Sequence, residues 1–185
     1  MNLRRIAVLL VLTLMPAMLA GCASVPKSPE ARAEAQAVND PLEPMNRTIF
    51  DVNDFLDRLL IRPLAELYRF VLPDAVRAHI VNVLENMGEP VVFANNMLQG
   101  NWDAAGTTSE RFLINTTVGA AGIFDVATGW GAPEQMGDFG QTLHVWGIKS
   151  GPYLVLPLFG PSNFRDAIGL GVDSVMSPWQ WIAGI

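Results

Sequence analysis

Apolar residues recur at helical spacing through the first half of the chain. Met45, Ile49, Val52, Leu56 and Leu59 follow an i, i+4, i+7, i+11, i+14 pattern, one stripe of an α-helix. Asn46 is placed to cap that helix, and Pro63 interrupts the run. A short helix through Leu64, Leu67, Tyr68 and Val71 follows. Pro73-Asp74 opens another, with Val76, Ile80, Val83, Leu84 and Met87 along one side. Gly88 and Pro90 are expected to break it, leaving a further turn or two over Val91–Leu98. Asn101 is the expected cap of a helix running through Phe112 and Leu113.

After Thr117 the texture changes. Gly119, Gly122, Gly129, Gly131, Gly137, Gly140, Gly147 and Gly151 arrive in quick succession and mark tight turns. Short helices are expected over Phe139–Val145 and Phe164–Val175. Tyr153–Leu156 is β-prone, but Pro152 and Pro157 frame it, so an extended segment outside any large sheet is expected. The fold class read from this pattern is mostly α, with little or no β-sheet. Short helices with wide apolar faces suit a protein lying partly within one membrane leaflet. They equally suit an irregular soluble α domain, and periodicity does not choose between them.

The N-terminus supplies a membrane signal of its own. Met1–Arg5 is basic, and Ile6–Ala20 is apolar apart from Thr13 and Pro16. That run is short of the roughly 20 residues a bilayer span takes, and it matches an export signal. Leu19-Ala20-Gly21-Cys22 follows and resembles the lipobox of bacterial lipoproteins, with Cys22 as the lipid-bearing residue. An ordinary signal peptide with an incidental cysteine is the alternative. Ala23 stands where aspartate tends to retain lipoproteins in the inner membrane, so the expected destination is the periplasmic face of the outer membrane. The expected organisation is a signal peptide over 1–21, a lipidated cysteine and flexible tether over 22–38, and a helical domain over 39–185.

Composition narrows the function classes. Half of the residues are hydrophobic and only 16% are charged, against about 25% for a typical soluble domain. Removing the leader with Arg4 and Arg5 takes the formal net charge from −6 to about −8. That argues against nucleic acid, whose phosphates require basic patches. It also argues against docking by general attraction to anionic lipids. A single cysteine permits no internal disulfide, and His79 and His144 make no ligand spacing, so no metal and no cofactor are expected.

No enzyme signature stands up. Asp138-Phe139-Gly140 is the tripeptide that holds magnesium in protein kinases, but the remaining kinase motifs are missing. No G-x-S-x-G elbow, P-loop or dinucleotide fingerprint occurs, and no histidine makes a triad with Ser162 and Asp166. No catalytic residue is expected.

Five segments carry weight together. They are Asn39-Asp40-Pro41-Leu42-Glu43-Pro44-Met45-Asn46-Arg47; Arg62-Pro63-Leu64; Arg111 through Gly119; Asp138-Phe139-Gly140-Gln141-Thr142-Leu143 with Trp146-Gly147; and Gly151 through Pro157 with Gly160, Arg165 and Asp166. In this order the set resembles the VacJ/MlaA family of outer-membrane lipoproteins, over roughly Asn39 to Asp173. The resemblance implies a ring of short amphipathic helices embedded in one leaflet around an amphipathic channel. It implies removal of mislocalised phospholipid from the outer leaflet and its delivery to a periplasmic lipid-carrier protein, maintaining lipid asymmetry. It also implies the outer-membrane bilayer and a trimeric porin as partners. The alternative is a structural envelope lipoprotein with no transport role. The chain stops at Ile185 in a Trp-rich apolar stretch where family members continue, so a C-terminally truncated domain is the expectation.

Residue roles follow as expectations. Transport breaks no bond, so the head group needs donors and space, and the acyl chains need an apolar seam. Asp138, Phe139, Gly140, Gln141 and Thr142 are candidates for a channel or mobile loop, with a capped turn as the alternative. Arg165 and Asp166 are candidates for the lining, or a helix-start ion pair. In the N-terminal motif, Asp40 and Pro41 lead into the helix, Asn46 caps it, and Arg47 projects from its first turn. A cation there opposes the helix dipole and calls for a partner, an acidic side chain or a lipid phosphate.

Overall fold

The computed structural model describes residues 39–182. Cys22 and the expected leader and tether lie outside the described residues. In chain order the elements are α1 (Glu43–Leu56), a π-helical stretch (Asp57–Ile61), α2 (Arg62–Val71), α3 (Asp74–Leu98) and α4 (Trp102–Thr117). Then come α5 (Val126–Gly129), α6 (Phe139–Val145), β1 (Tyr153–Leu156), β2 (Gly160–Asn163), α7 (Phe164–Met176) and α8 (Pro178–Ile182). The chain is mostly α, as the periodicity predicts. Its β structure among the described residues is one antiparallel pair in which Tyr153 faces Asn163 and Leu156 faces Gly160.

These residues fall into two compact units. The first holds the described residues up to Asp57 together with Gly151–Asn163. It is built on α1 and the β1–β2 hairpin. Asn46 does not cap α1, contrary to the sequence reading. The helix starts earlier, with Leu42 at the N-cap and Pro44 in the first turn, where a missing N–H costs nothing. That places Asn46 inside the helix, 3% exposed, facing the hairpin.

The second unit runs over Arg58–Ser150 and resumes at Phe164. Its spine is α3, which crosses Gly88 and Pro90 without a break, so the two helices expected there are one. A glycine costs a helix about 1 kcal/mol and a proline about 3 kcal/mol. Tertiary bonds on both sides of Pro90 offset this: Glu89 pairs with Arg111, and Asn86 and Asn95 bond Thr116 and Asp173. Asn101 caps α4 as expected, its side chain accepting from the Ala104 N–H. Pro63 falls in the first turn of α2, and the interruption before it is the π-helical stretch instead of a loop.

The distribution of side chains is the reverse of a soluble domain's. Among the described residues the buried apolar side chains are mostly alanines, Ala104, Ala105, Ala127 and Ala132, with Leu143 and Val155. The largest fully buried side chains are polar: Arg111, Asn95, Asn96, Thr108 and Thr142. Large apolar side chains are exposed throughout. Every residue of α2 is exposed. Arg62, Glu66 and Arg69 make a narrow polar stripe on it, and Leu64, Leu67, Phe70 and Val71 cover the wide remainder. No helix among the described residues is long and apolar enough to cross a membrane.

Candidate functional site

In the first unit, two asparagines two helical turns apart hold the hairpin by its backbone. The Asn46 amide donates to Asp40 Oδ1 (2.7 Å) and to the Tyr153 carbonyl (3.2 Å), and its Oδ1 accepts from the Val155 N–H (2.8 Å). Seven residues on, Asn53 donates to the Leu156 carbonyl and accepts from the Leu158 N–H, both at 2.9 Å. A side-chain amide thus does what a neighbouring strand would do. The register puts Pro161 opposite Val155, whose N–H goes to Asn46, so a residue without a donor is accommodated there. Leu158 takes a left-handed φ of 69°, pinned by Asn53, and the hairpin tip presents Leu158 and Phe159 exposed.

Asp40 also accepts from the Leu42 N–H, which closes the turn containing Pro41. Arg47 pairs with Glu43 one turn back (2.7 Å), so its acidic partner lies on its own helix. Asp40, Glu43, Asn46 and Arg47 line an open groove of about 440 Å³.

In the second unit, a guanidinium organises α3, α4 and the turn that follows. Arg111 is 2% exposed. Its Nε donates to Glu89 Oε1 (2.8 Å), one terminal nitrogen donates to Thr128 Oγ1 and the Ala132 carbonyl (2.8 Å each), and the other lies 3.5 Å from Asp125. Burial pushes the Glu89 carboxyl above the usual range; Arg111 opposes this through its bond and charge without cancelling it. Burial also acts first at Glu85, with Glu134 adding to the rise. Burial pushes Asp125 up too, but bonds from Thr128 and Asn115 outweigh it and hold that carboxyl low. Burial lowers Arg111, yet the Glu89 bond and the surrounding carboxylates leave it above its ordinary value.

Of the candidate loop residues, Phe139, Gly140, Gln141 and Thr142 are helical and Asp138 is the extended cap before them. Asp138 caps α6, with Oδ1 accepting the Gln141 N–H and Oδ2 the Gln141 amide, both at 2.7 Å. The Phe139 N–H donates to Asp173 Oδ2 (2.9 Å), and its ring meets Trp146 edge-on. Thr142 is fully buried; it donates to Asn95 Oδ1 (2.9 Å) and accepts from Gln99 (3.0 Å). Gly140 lies against α7, where a Cβ on Gly169 would come 2.4 Å from the Gly140 nitrogen. Asp166 borders the same contact and accepts from Arg165 Nε (2.8 Å), while Arg165 also meets His144 (3.2 Å). The structure therefore gathers these seven residues at the α6–α7 crossing.

Sequence reasoning missed Asn53, the Arg111–Glu89–Asp125 cluster and the Asn95–Asp173 link. One signal was available. Asn95, Glu89 and Arg111 are polar residues inside helical runs, and such residues become buried when each finds a partner. Among the described residues no group of three or more acidic, cysteine or histidine residues is placed to hold a metal.

Comparison with known proteins agrees with the resemblance. A protein of Rickettsia felis (strain ATCC VR-1525 / URRWXCal2) is 43% identical over 140 residues, 76% of this chain and 54% of that protein. The intermembrane phospholipid transport system lipoprotein MlaA of Escherichia coli (strain K12) is 35% identical over 176 residues, 92% of this chain and 67% of that one. The chain thus spans about half the length of the Rickettsia relative. A solved structure, from work on the structural basis for maintenance of bacterial outer membrane lipid asymmetry, matches with a TM-score of 0.67 and 33% identity. That match covers 78% of this chain and 80% of the other. The family model for the MlaA lipoprotein matches residues 38–184, and this chain belongs to that family.

Proposed function

We propose that this protein is an outer-membrane lipoprotein that takes mislocalised phospholipid from the outer leaflet and passes it to a periplasmic carrier. Cys22 carries the lipid anchor on the periplasmic face, and a trimeric porin is the membrane partner. The wide apolar helix faces lie within one leaflet, and the head group follows a path that does not enter hydrocarbon. The reaction is transfer, with no bond made or broken, and calls for no catalytic residue.

The observation that carries this reading is the reversed packing. Water expels apolar surface, so a soluble domain does not leave Phe55, Leu64, Phe70, Trp102 and Trp130 each more than half exposed while burying an arginine and five asparagines. In hydrocarbon the outward apolar face costs nothing, and backbone and side-chain polar groups must be satisfied inside. The relatives' names supply the substrate class.

The test is made in cells lacking the gene, with and without the chain restored. Outer-leaflet phosphatidylethanolamine is read with a membrane-impermeant amine reagent. Restoration is expected to lower the surface-reactive lipid. Cys22→Ala is expected to leave an unlipidated precursor by mass spectrometry and to abolish the restoration. Equal labelling with and without the chain would overturn the proposal.

A further inference from the structure

We infer that the crevice between α3 and α4 is a binding site for a single acyl chain of a phospholipid, a subsite that rests on the transport reading above. Pro90, Phe93, Phe112 and Leu113 form its walls, and Glu89 and Thr108 its floor. The cavity is about 310 Å³, at the lower end of small-molecule sites, which run from about 300 to 1,000 Å³.

The chemistry of the floor selects the occupant. Thr108 is fully buried and its hydroxyl donates back to the Ala104 carbonyl, so it offers no donor to a ligand. The Arg111 guanidinium behind the floor is spent on Glu89, Thr128, Ala132 and Asp125. No cation is left to receive a phosphate, and the Glu89 carboxylate repels one. An anionic head group is thereby kept out, while a hydrocarbon chain finds Pro90, Phe93, Phe112 and Leu113 to lie against. The volume accommodates one chain and excludes a whole two-chain lipid. At the mouth, Phe93 and Leu113 are 37% and 62% exposed, so the crevice opens onto apolar surface and a chain passes in without crossing a polar rim.

Pro90 lies within α3 and puts its apolar ring on the lining. Ser109, also on the lining, keeps the opposite wall small.

The experiment uses the full chain in vesicles of phosphatidylethanolamine and phosphatidylglycerol. A trace of phosphatidylethanolamine carries a diazirine midway along one acyl chain. The protein is extracted into detergent, freed of bulk lipid, irradiated, and mapped by peptide mass spectrometry. Adducts are expected on Phe93, Phe112 or Leu113. Ser109→Phe, which fills the crevice, is expected to lower them about tenfold, the effect of losing roughly two buried methylenes. Should that variant fail to fold by circular dichroism, Leu113→Asp at the exposed rim is expected to give the same loss. Adducts spread evenly over the helices, or unchanged in the variant that folds, would overturn the inference. Excess diazirine palmitic acid labelling these residues while the phospholipid does not would also overturn it, by assigning a free fatty acid site. The outer-leaflet assay reads the transport proposal separately. Restoration by the wild type without crevice adducts removes this inference alone, and adducts without restoration remove the transport reading alone.

Discussion

Arg111 and Glu89 form an ion pair almost out of water, with side chains 2% and 5% exposed. Bringing two charges out of water costs several kcal/mol each, and only close geometry and extra bonds offset that cost. Removing one partner leaves the other buried and uncompensated. Arg111→Met is therefore expected to destabilise the protein by about 3–5 kcal/mol. Glu89→Gln, which keeps an acceptor for Arg111 Nε, is expected to cost much less. Thermal unfolding in detergent measures both. The two carboxylates pull the pH dependence in opposite directions. Glu89 is raised above its ordinary 4.5, so folding binds its proton more tightly. Its contribution is present below that value and is lost as pH rises through the folded-state value. Asp125 is lowered below its ordinary 3.8, so its contribution is present above 3.8 and is lost as pH falls through the folded-state value. Wild-type stability is expected to peak in mildly acidic solution. Glu89→Gln is expected to make the limb above the peak shallower, with Glu85 supplying the remainder, and to leave the acid limb in place. A variant whose decline toward neutral pH is as steep as the wild type's would refute the contribution assigned to Glu89.

At the scale of elements, two contacts invite direct tests. The hairpin is attached to α1 through Asn46 and Asn53, amide to peptide. Asn46→Leu keeps the volume but leaves the Tyr153 carbonyl and the Val155 N–H without partners. Each orphaned buried group costs about 1–3 kcal/mol, and hydrogen exchange at the Val155 amide is expected to accelerate by at least about tenfold. Asn53→Leu is expected to affect the Leu158 amide instead, and to release its left-handed conformation. Equal protection in wild type and variants would show that the hairpin holds without the clasp. The second contact is the α6–α7 crossing. Gly169→Ala drives a methyl to 2.4 Å from the Gly140 nitrogen, which is backbone and does not swing aside. Overpacking of this kind costs about 1–3 kcal/mol, visible as a lower unfolding temperature. An unchanged temperature would mean that α7 shifts freely.

For the whole molecule, the reversed packing predicts membrane binding without the proposed anchor. A chain starting at Asn39, lacking Cys22, is expected to float with phospholipid vesicles. Leu64→Glu with Phe70→Glu on the exposed face of α2 is expected to weaken that binding by at least tenfold. Each side chain forfeits about 1.5–3 kcal/mol of apolar transfer. A detergent-free monomer that ignores vesicles would contradict the leaflet reading.

Most element positions were legible in the sequence because they follow from local rules: the helices that became α1 and α4, the Asn101 cap, α6 and α7. The family was legible for a different reason, the order of five motifs along the chain. Pro90 and Asn46 were misread, and for one reason. Their consequences depend on partners far away in sequence: Arg111 and Asp173 hold α3 together across Pro90, and the hairpin backbone draws Asn46 inward. Periodicity records which positions are apolar. It does not record which polar residues will meet. In a protein whose interior is built from Arg111, Asn95, Thr108 and Thr142, those meetings are what the core consists of, and a polar side chain is stable there only when the fold delivers its donor or acceptor.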